Sequence, residues 1–182
     1  MKIYLAGPDV FESNPVARGL ELKAACTRVG AEGLFPLDNV LADGPDMALR
    51  IRDANMGMIR ASDAVVANMT PFRGPSMDPG TAYEMGVAAG LGKIVVGYTR
   101  DLRPYVDKVR ALVVPAVVRA ADGVWRDGDG MLVEDFSLHG KGLVDNLMIA
   151  AGVEVLCETA EEAIRAATEL FQKERSRQDK AA

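Results

Sequence analysis

The chain has 182 residues, 49% of them apolar, with 21 basic and 26 acidic side chains and a formal net charge of −5. Such a length buries one good core and is too short for two ordinary domains, so a single domain over residues 1–182 is expected. The mild acidity and scattered cations argue against a nucleic-acid polymer as partner, and the apolar run after Met1-Lys2 is too short for a signal peptide or membrane span, which points to the cytoplasm.

Ile3 to Ala6 reads as a first strand stopped by Gly7-Pro8, and Asn14-Pro15 supplies an N-cap and N1 proline for a helix running to Gly30. Cys26 sits in that helical pattern and Cys157 ends a later apolar run. Neither has a CxxC partner or a nearby histidine, so both read as buried thiols of a reducing compartment. Gly33 to Leu37 gives a second strand, and Asp38 to Pro45 a loop. Asp46 caps a helix through about Ala61, with Met47, Ile51, Met58 and Ile59 among its apolar positions. Asp63 to Met69 is short, β-rich and almost wholly apolar, as a buried parallel strand should be. Its carboxyl end delivers the loop Thr70 to Met77.

The helix after that loop opens at Asp78 or at Thr81. Asp78-Pro79 is an N-cap with proline at N1, whereas Thr81-x-x-Glu84 matches a capping box. If Asp78 caps, Glu84 lies in the second turn and is free for chemistry; if Thr81 caps, Glu84 is explained as a cap and Asp78 is left in the loop. A fourth strand covers Lys93 to Tyr98.

From Asp101 to Leu143 the alternation breaks. Val124-Trp125-Arg126 and Met131-Leu132-Val133, around Asp127 to Gly130, read as a β-hairpin within an excursion. Gly142 to Met148 reads as a short helix carrying Asn146, for which a helix cap is the plain explanation. Gly152 to Cys157 is a fifth strand, Thr159-x-x-Glu162 caps an amphipathic helix, and the charged tail from Lys173 to Ala182 is expected to fray. Together these give an α/β fold, a flavodoxin-like doubly wound five-stranded parallel sheet of order 2-1-3-4-5 with a hairpin excursion after strand 4. Its switch point lies between strands 1 and 3, where the loop Gly7 to Phe11 faces the loop holding Arg73, Ser76 and Asp78.

There is no GxxxxGK phosphate loop and no GxGxxG after the first strand, so triphosphate hydrolysis and dinucleotide redox lack their signatures. His139 stands without a ligand cluster, Asp127 and Asp129 lack the rest of a calcium loop, and no serine has a GxSxG context. No metal and no cofactor are expected. What remains is a carboxylate pair. Two acids flanking a glycosidic bond can divide the labour, one attacking the anomeric carbon while the other protonates the leaving group. In that scheme Asp78 needs a raised pKa, which burial beneath the excursion and the charge of Glu84 would favour.

In Ile3 to Phe11, Ile51-Arg52 with Asn55, Asp63-Ala64-Val65, Pro71 to Gly74, Asp78 to Gly86, and Val133 to Phe136 with Asp145 to Met148, the chain resembles the nucleoside 2-deoxyribosyltransferases. The matches run in order over most of the chain. The resemblance implies exchange of the base of a 2′-deoxyribonucleoside against free nucleobases through a covalent deoxyribosyl ester on Glu84. It implies that Asp78 handles the departing and incoming base, and that Tyr4 orients Glu84 by a hydrogen bond. Gly7, Phe11, Asn55, Arg73, Ser76, Gly80 and Asn146 are the substrate-binding candidates. Asn146 would reach a neighbouring subunit's sugar, making the protein a homo-oligomer, a dimer-based hexamer.

Two departures stand out. At Asn55 some members carry an aspartate that helps bind the base, which leaves purine or pyrimidine preference open, and the charged tail is unlike theirs. Alternatives are an N-glycosidase of 2′-deoxynucleoside 5′-monophosphates, with Arg73 and Ser76 on the phosphate, and a non-catalytic nucleoside-binding module. A ribonucleotide phosphoribohydrolase fits less well, because the double glycine expected before Gly80-Thr81 is replaced by Met77-Asp78-Pro79.

Overall fold

A computed structural model describes residues 1–112 and 116–181. Its centre is a five-stranded parallel sheet in which β1 (Lys2–Ala6), β2 (Glu32–Leu34), β3 (Ala64–Asn68), β4 (Ile94–Tyr98) and, after four short strands described below, β9 (Val155–Cys157) lie in the order β2-β1-β3-β4-β9. This is the order expected from the sequence. Every residue of β3 and β4 is buried, as apolar strands covered on both faces should be.

Alternation along the strands sorts the core into two halves. Ile3, Leu5, Val66, Ile94 and Val96 face α1 (Pro15–Arg28) and the C-terminal helix α6 (Ala160–Ala181). Tyr4, Ala6, Val65, Ala67 and Val95 belong to the opposite half, which also takes Met56 and Ile59 of α2 (Met47–Ala61) and Met85 and Ala88 of α3 (Pro79–Gly90). The parity of β1 therefore sends Tyr4 toward α3. That placement matters below.

Helix starts follow their signals with one exception. The Asn14 side chain accepts from Ala17 N at 3.1 Å before Pro15, and Thr159 and Glu162 exchange the two bonds of a capping box, each at 3.2 Å. Asp46 precedes α2 but sits at φ 54°, and its side chain makes no capping bond. The second strand is shorter than expected, because Pro36 opens a 3-10 turn over Pro36–Asp38 that removes Leu37 from the sheet.

The excursion departs most from expectation. It begins with a helix that the sequence reading left out, α4 (Tyr105–Leu112), and holds β5 (Val118–Arg119), β6 (Trp125–Arg126), β7 (Ser137–Leu138) and β8 (Lys141–Gly142). Trp125-Arg126 pairs with Val118-Arg119, and the expected pairing with 131–133 reduces to one Arg126–Leu132 bridge. The β7–β8 pair is a second hairpin, after which α5 spans only Leu147–Ala150. The C-terminal tail does not fray: α6 runs to Ala181, with residues 172–180 exposed. Its Glu, Lys, Arg and Gln residues are good helix formers and no Gly or Pro interrupts them. Among the described residues no helix is long and apolar enough to cross a membrane.

Candidate active site

Asp78 resolves the capping alternative. Its Oδ2 accepts from Thr81 N and Thr81 Oγ1, both at 2.8 Å, so it is the N-cap of α3 and Pro79 takes N1. Glu84 is thereby left out of the cap and lies in the second turn, on the side of α3 that looks across the sheet. There the Tyr4 hydroxyl donates to Glu84 Oε1 at 2.6 Å. Tyr4 is fully buried, so the donor cannot swing away.

A cavity of about 280 Å³ opens over this pair. Gly7, Asp78, Gly80 and Glu84 line it together with Asn55 of α2, while Val10, Phe11, Leu37 and Ile51 give it an apolar wall. Four of the seven substrate-binding candidates thus meet both carboxylates in one space. Gly7 is needed for want of a side chain: a Cβ there would stand 2.8 Å from Asn68 Cβ and collide with the Asp9 carboxylate. Burial pushes the Glu84 carboxyl up to about 7, and the charge of Asp78 adds to the rise, while hydrogen bonds from Tyr4 and Asn55 oppose it. The Tyr4 hydroxyl is held far above its ordinary range by burial and by Glu84, so it remains a donor.

The other three candidates lie elsewhere. Arg73, at φ 55° in the turn Pro71 to Gly74, lays its guanidinium over the rings of Phe72 and Phe11, 4.5 and 5.4 Å from their centres. Those rings stack on each other at 5.4 Å. Ser76 donates its hydroxyl to Asp145. Asn146 caps α5, accepting from Met148 N at 3.0 Å and donating to Glu134 Oε1 at 2.6 Å. None of the described residues of the excursion lines the cavity, so the expected burial of Asp78 beneath it is not found in a single chain.

Two buried carboxylates escaped the sequence reading as functional residues. Asp9 accepts from Arg18 Nε and Asn68 Nδ2, each at 2.9 Å, and so pins the loop that carries Gly7 and Phe11 to the end of β3. Asp145 accepts from Ser76, Met77 and Asn146. An aspartate in a loop reads alike in sequence whether solvated or buried. For both, the one signal is a place inside a match to a known motif.

A larger space of about 550 Å³ lies beside β9, lined by Leu102, Leu156, Cys157 and Glu162 among others. Its Glu162 is spent on capping α6, and burial raises the free Cys157 thiol above its ordinary range. Volume alone does not make it the site of chemistry. Among the described residues, no group of three or more His, Cys, Asp or Glu is placed to hold a metal ion.

Comparison with known proteins assigns the family. The family model described as nucleoside 2-deoxyribosyltransferase matches residues 3–148. A 2-desoxiribosyltransferase from Leishmania mexicana is 34% identical, with a TM-score of 0.70 over 92% of this chain and 97% of its own. An uncharacterized protein of Schizosaccharomyces pombe is 33% identical over 160 residues, 80% of this chain and 74% of its own. A conserved protein from Enterococcus faecalis shares the fold at 18% identity, with a TM-score of 0.59 over 93% of this chain and 98% of its own. Through the family match over most of its length, and a carboxylate pair seated where its sheet changes direction, the chain belongs to the nucleoside 2-deoxyribosyltransferase family.

Proposed function

We propose that the protein transfers the 2-deoxyribosyl group between nucleobases by double displacement, with Glu84 as nucleophile. The observation that carries this reading is the 2.6 Å hydrogen bond from the Tyr4 hydroxyl to Glu84 Oε1, at the floor of a cavity that also holds Asp78. Tyr4 holds Glu84 Oε1, and the carboxylate attacks C1′ of the donor. The C1′–N bond breaks, its electrons pass to the base, and the base nitrogen takes a proton from Asp78. In the second half an incoming base attacks C1′ and gives its N–H proton to Asp78, and the ester bond to Glu84 breaks. The mechanism requires the proton on Asp78 and the charge on Glu84 when donor is bound; the Tyr4 donor favours that arrangement, and the oxocarbenium-like transition state offsets the cost of burying the carboxylate.

The lining also bears on the substrate. It holds two acids and, among the described residues, no cation. Arg73 lies over two aromatic rings and the Ser76 hydroxyl donates to Asp145, and neither of these groups suited to a phosphate is among the residues that line the cavity. This favours an uncharged 2′-deoxyribonucleoside over its 5′-monophosphate. Asn146, outside its own cavity, is read as a contact to the sugar in a neighbouring subunit, which makes the working protein a homo-oligomer.

Incubation with deoxyinosine, with and without adenine, and in parallel with thymidine and deoxyinosine monophosphate, tests the reading by chromatography of bases and nucleosides. Deoxyadenosine formed only when adenine is present is the expected result. Base release that ignores the acceptor makes the protein a hydrolase, and release confined to the monophosphate refutes the substrate assignment. Binding without turnover on any donor leaves a nucleoside-binding module.

A further inference from the structure

We propose that Asp145 is a positioning residue for this reaction, a buried carboxylate that fixes the backbone from which Asp78 reaches the leaving base. The inference rests on the transfer reading above. Asp145 is 1% exposed, and a carboxylate so placed persists only where hydrogen bonds replace its water. It accepts from the Ser76 hydroxyl, from Met77 N at 2.9 Å and from Asn146 N at 2.8 Å. The first two donors lie 69 and 68 positions away in sequence and directly precede Asp78.

The peptide leading into Asp78 is thus held from two directions. The Met77 side chain is buried among core residues that include Tyr4 and Met85, and its N–H is fastened to Asp145. Behind the carboxylate lies Lys108, also 1% exposed, whose Nζ donates to the carbonyl of Val144 at 2.7 Å. Burial pulls this ammonium below its ordinary range, while Asp101 and Asp145 act to keep it charged. The Asp145 carboxylate also receives the N–H of Asn146, so one side chain sets both the loop presenting Asp78 and the residue read as serving the neighbouring site. A displacement of the Asp78 loop would then slow proton transfer without emptying the cavity.

The test uses two donors whose leaving groups differ in their need for a proton. Deoxyguanosine loses its base readily only when that base is protonated; 7-methyl-2′-deoxyguanosine already carries the positive charge. Base release in a single turnover is measured on the full-length protein for wild type, Asp78→Asn, Asp145→Ala, Asp145→Asn and Ser76→Ala. Asp145→Ala is expected to slow release from deoxyguanosine roughly 30- to 100-fold and from the methylated donor less than about 3-fold, the same selectivity as Asp78→Asn. Asp145→Asn keeps an acceptor for Met77 N and recovers part of the loss. Ser76→Ala loses roughly 3- to 10-fold, with the same preference for the methylated donor.

Equal slowing on both donors would mean that Asp145 only holds the fold, and would overturn the proposal. Wild-type rates in Asp145→Ala would do the same. If Asp145→Ala does not fold, the donor selectivity of Ser76→Ala decides the matter alone. No base release by wild type from any deoxynucleoside removes the transfer reading and this inference with it, whereas an active wild type with unselective variants removes only the inference.

Discussion

The half of the molecule around β1, β3 and α3 and the excursion between β4 and β9 are ordered by different forces. In the first, five-residue strands are buried on both faces, and each apolar side chain has a sheet or helix to pack against. In the second, every strand is two residues long and the apolar cluster contains four buried valines, Val106, Val109, Val117 and Val133. Polar contacts do much of the remaining work there: Lys108 on Val144, Glu134 on Asn146 and Leu147, and Trp125 beneath the guanidinium of Arg110 at 4.1 Å. A deep apolar frame can hold a carboxylate against its own solvation. A shallow, polar one suits a segment that must meet other surfaces.

If chemistry resides in the first region, Glu84→Ala should abolish base exchange, by roughly 10⁴-fold or more, and leave the fold intact. Near-normal turnover by this variant would remove the covalent mechanism. Tyr4→Phe should follow, with kcat lowered roughly 10- to 100-fold and KM changed little. In wild type, kcat/KM should fall as pH rises through about 7, where the carboxylate pair gives up the one proton that the mechanism places on Asp78. Removing the Tyr4 donor, which lowers the Glu84 pKa, should move that midpoint upward; an unmoved midpoint would show that the hydroxyl does not act on Glu84.

The same burial predicts a smaller effect on stability. The folded pKa of Glu84 lies above the unfolded one, so the stability tied to its protonated form is present below about 4.5 and is lost as pH rises through about 7. Glu84→Gln, neutral at every pH, should therefore be more stable than wild type at pH 8, by on the order of 1–3 kcal/mol, and equal to it near pH 4. Urea unfolding at the two pH values measures this, and an equal difference at both would contradict it. The smallest effect belongs to the excursion. Trp125→Ala should speed amide exchange across residues 105–112 and 117–133, at a local cost of about 1–2 kcal/mol, and leave protection of β1 and β3 unchanged. Loss of protection in the central strands would erase the distinction between the two regions.

The same contrast governs what could be read from sequence. Strands β1, β3 and β4 announce themselves as apolar runs ended by glycine, proline or a polar loop, and their alternation with helices dictates the sheet order. The capping ambiguity at Asp78 could not be settled locally, because both caps offer the Thr81 N–H a carboxylate, Asp78 in one and Glu84 in the other; in the fold Asp78 takes it and Glu84 meets Tyr4 instead. In the excursion, two-residue strands are too short for any period to show, and α4 follows Pro104 without a capping side chain. Arg73 and Ser76 were placed on the right loop, yet their partners, two aromatic rings and Asp145, are set by tertiary contact and leave no local mark. The cap and apolar face announce the start of the C-terminal helix, whereas the charge of its last turns points to fraying and their lack of Gly and Pro is the better guide.

The hydrogen bond between Tyr4 and Glu84 joins residues 80 positions apart. At about 5–20 residues per second, a ribosome adds the glutamate roughly 4–16 s after the tyrosine, and the two meet only where β1 lies beside β3 with α3 packed against them. A nascent or half-unfolded chain therefore holds neither an oriented carboxylate nor a dry cavity. The long-range pairing of β1 with β3 therefore also withholds the oriented carboxylate until the sheet is formed.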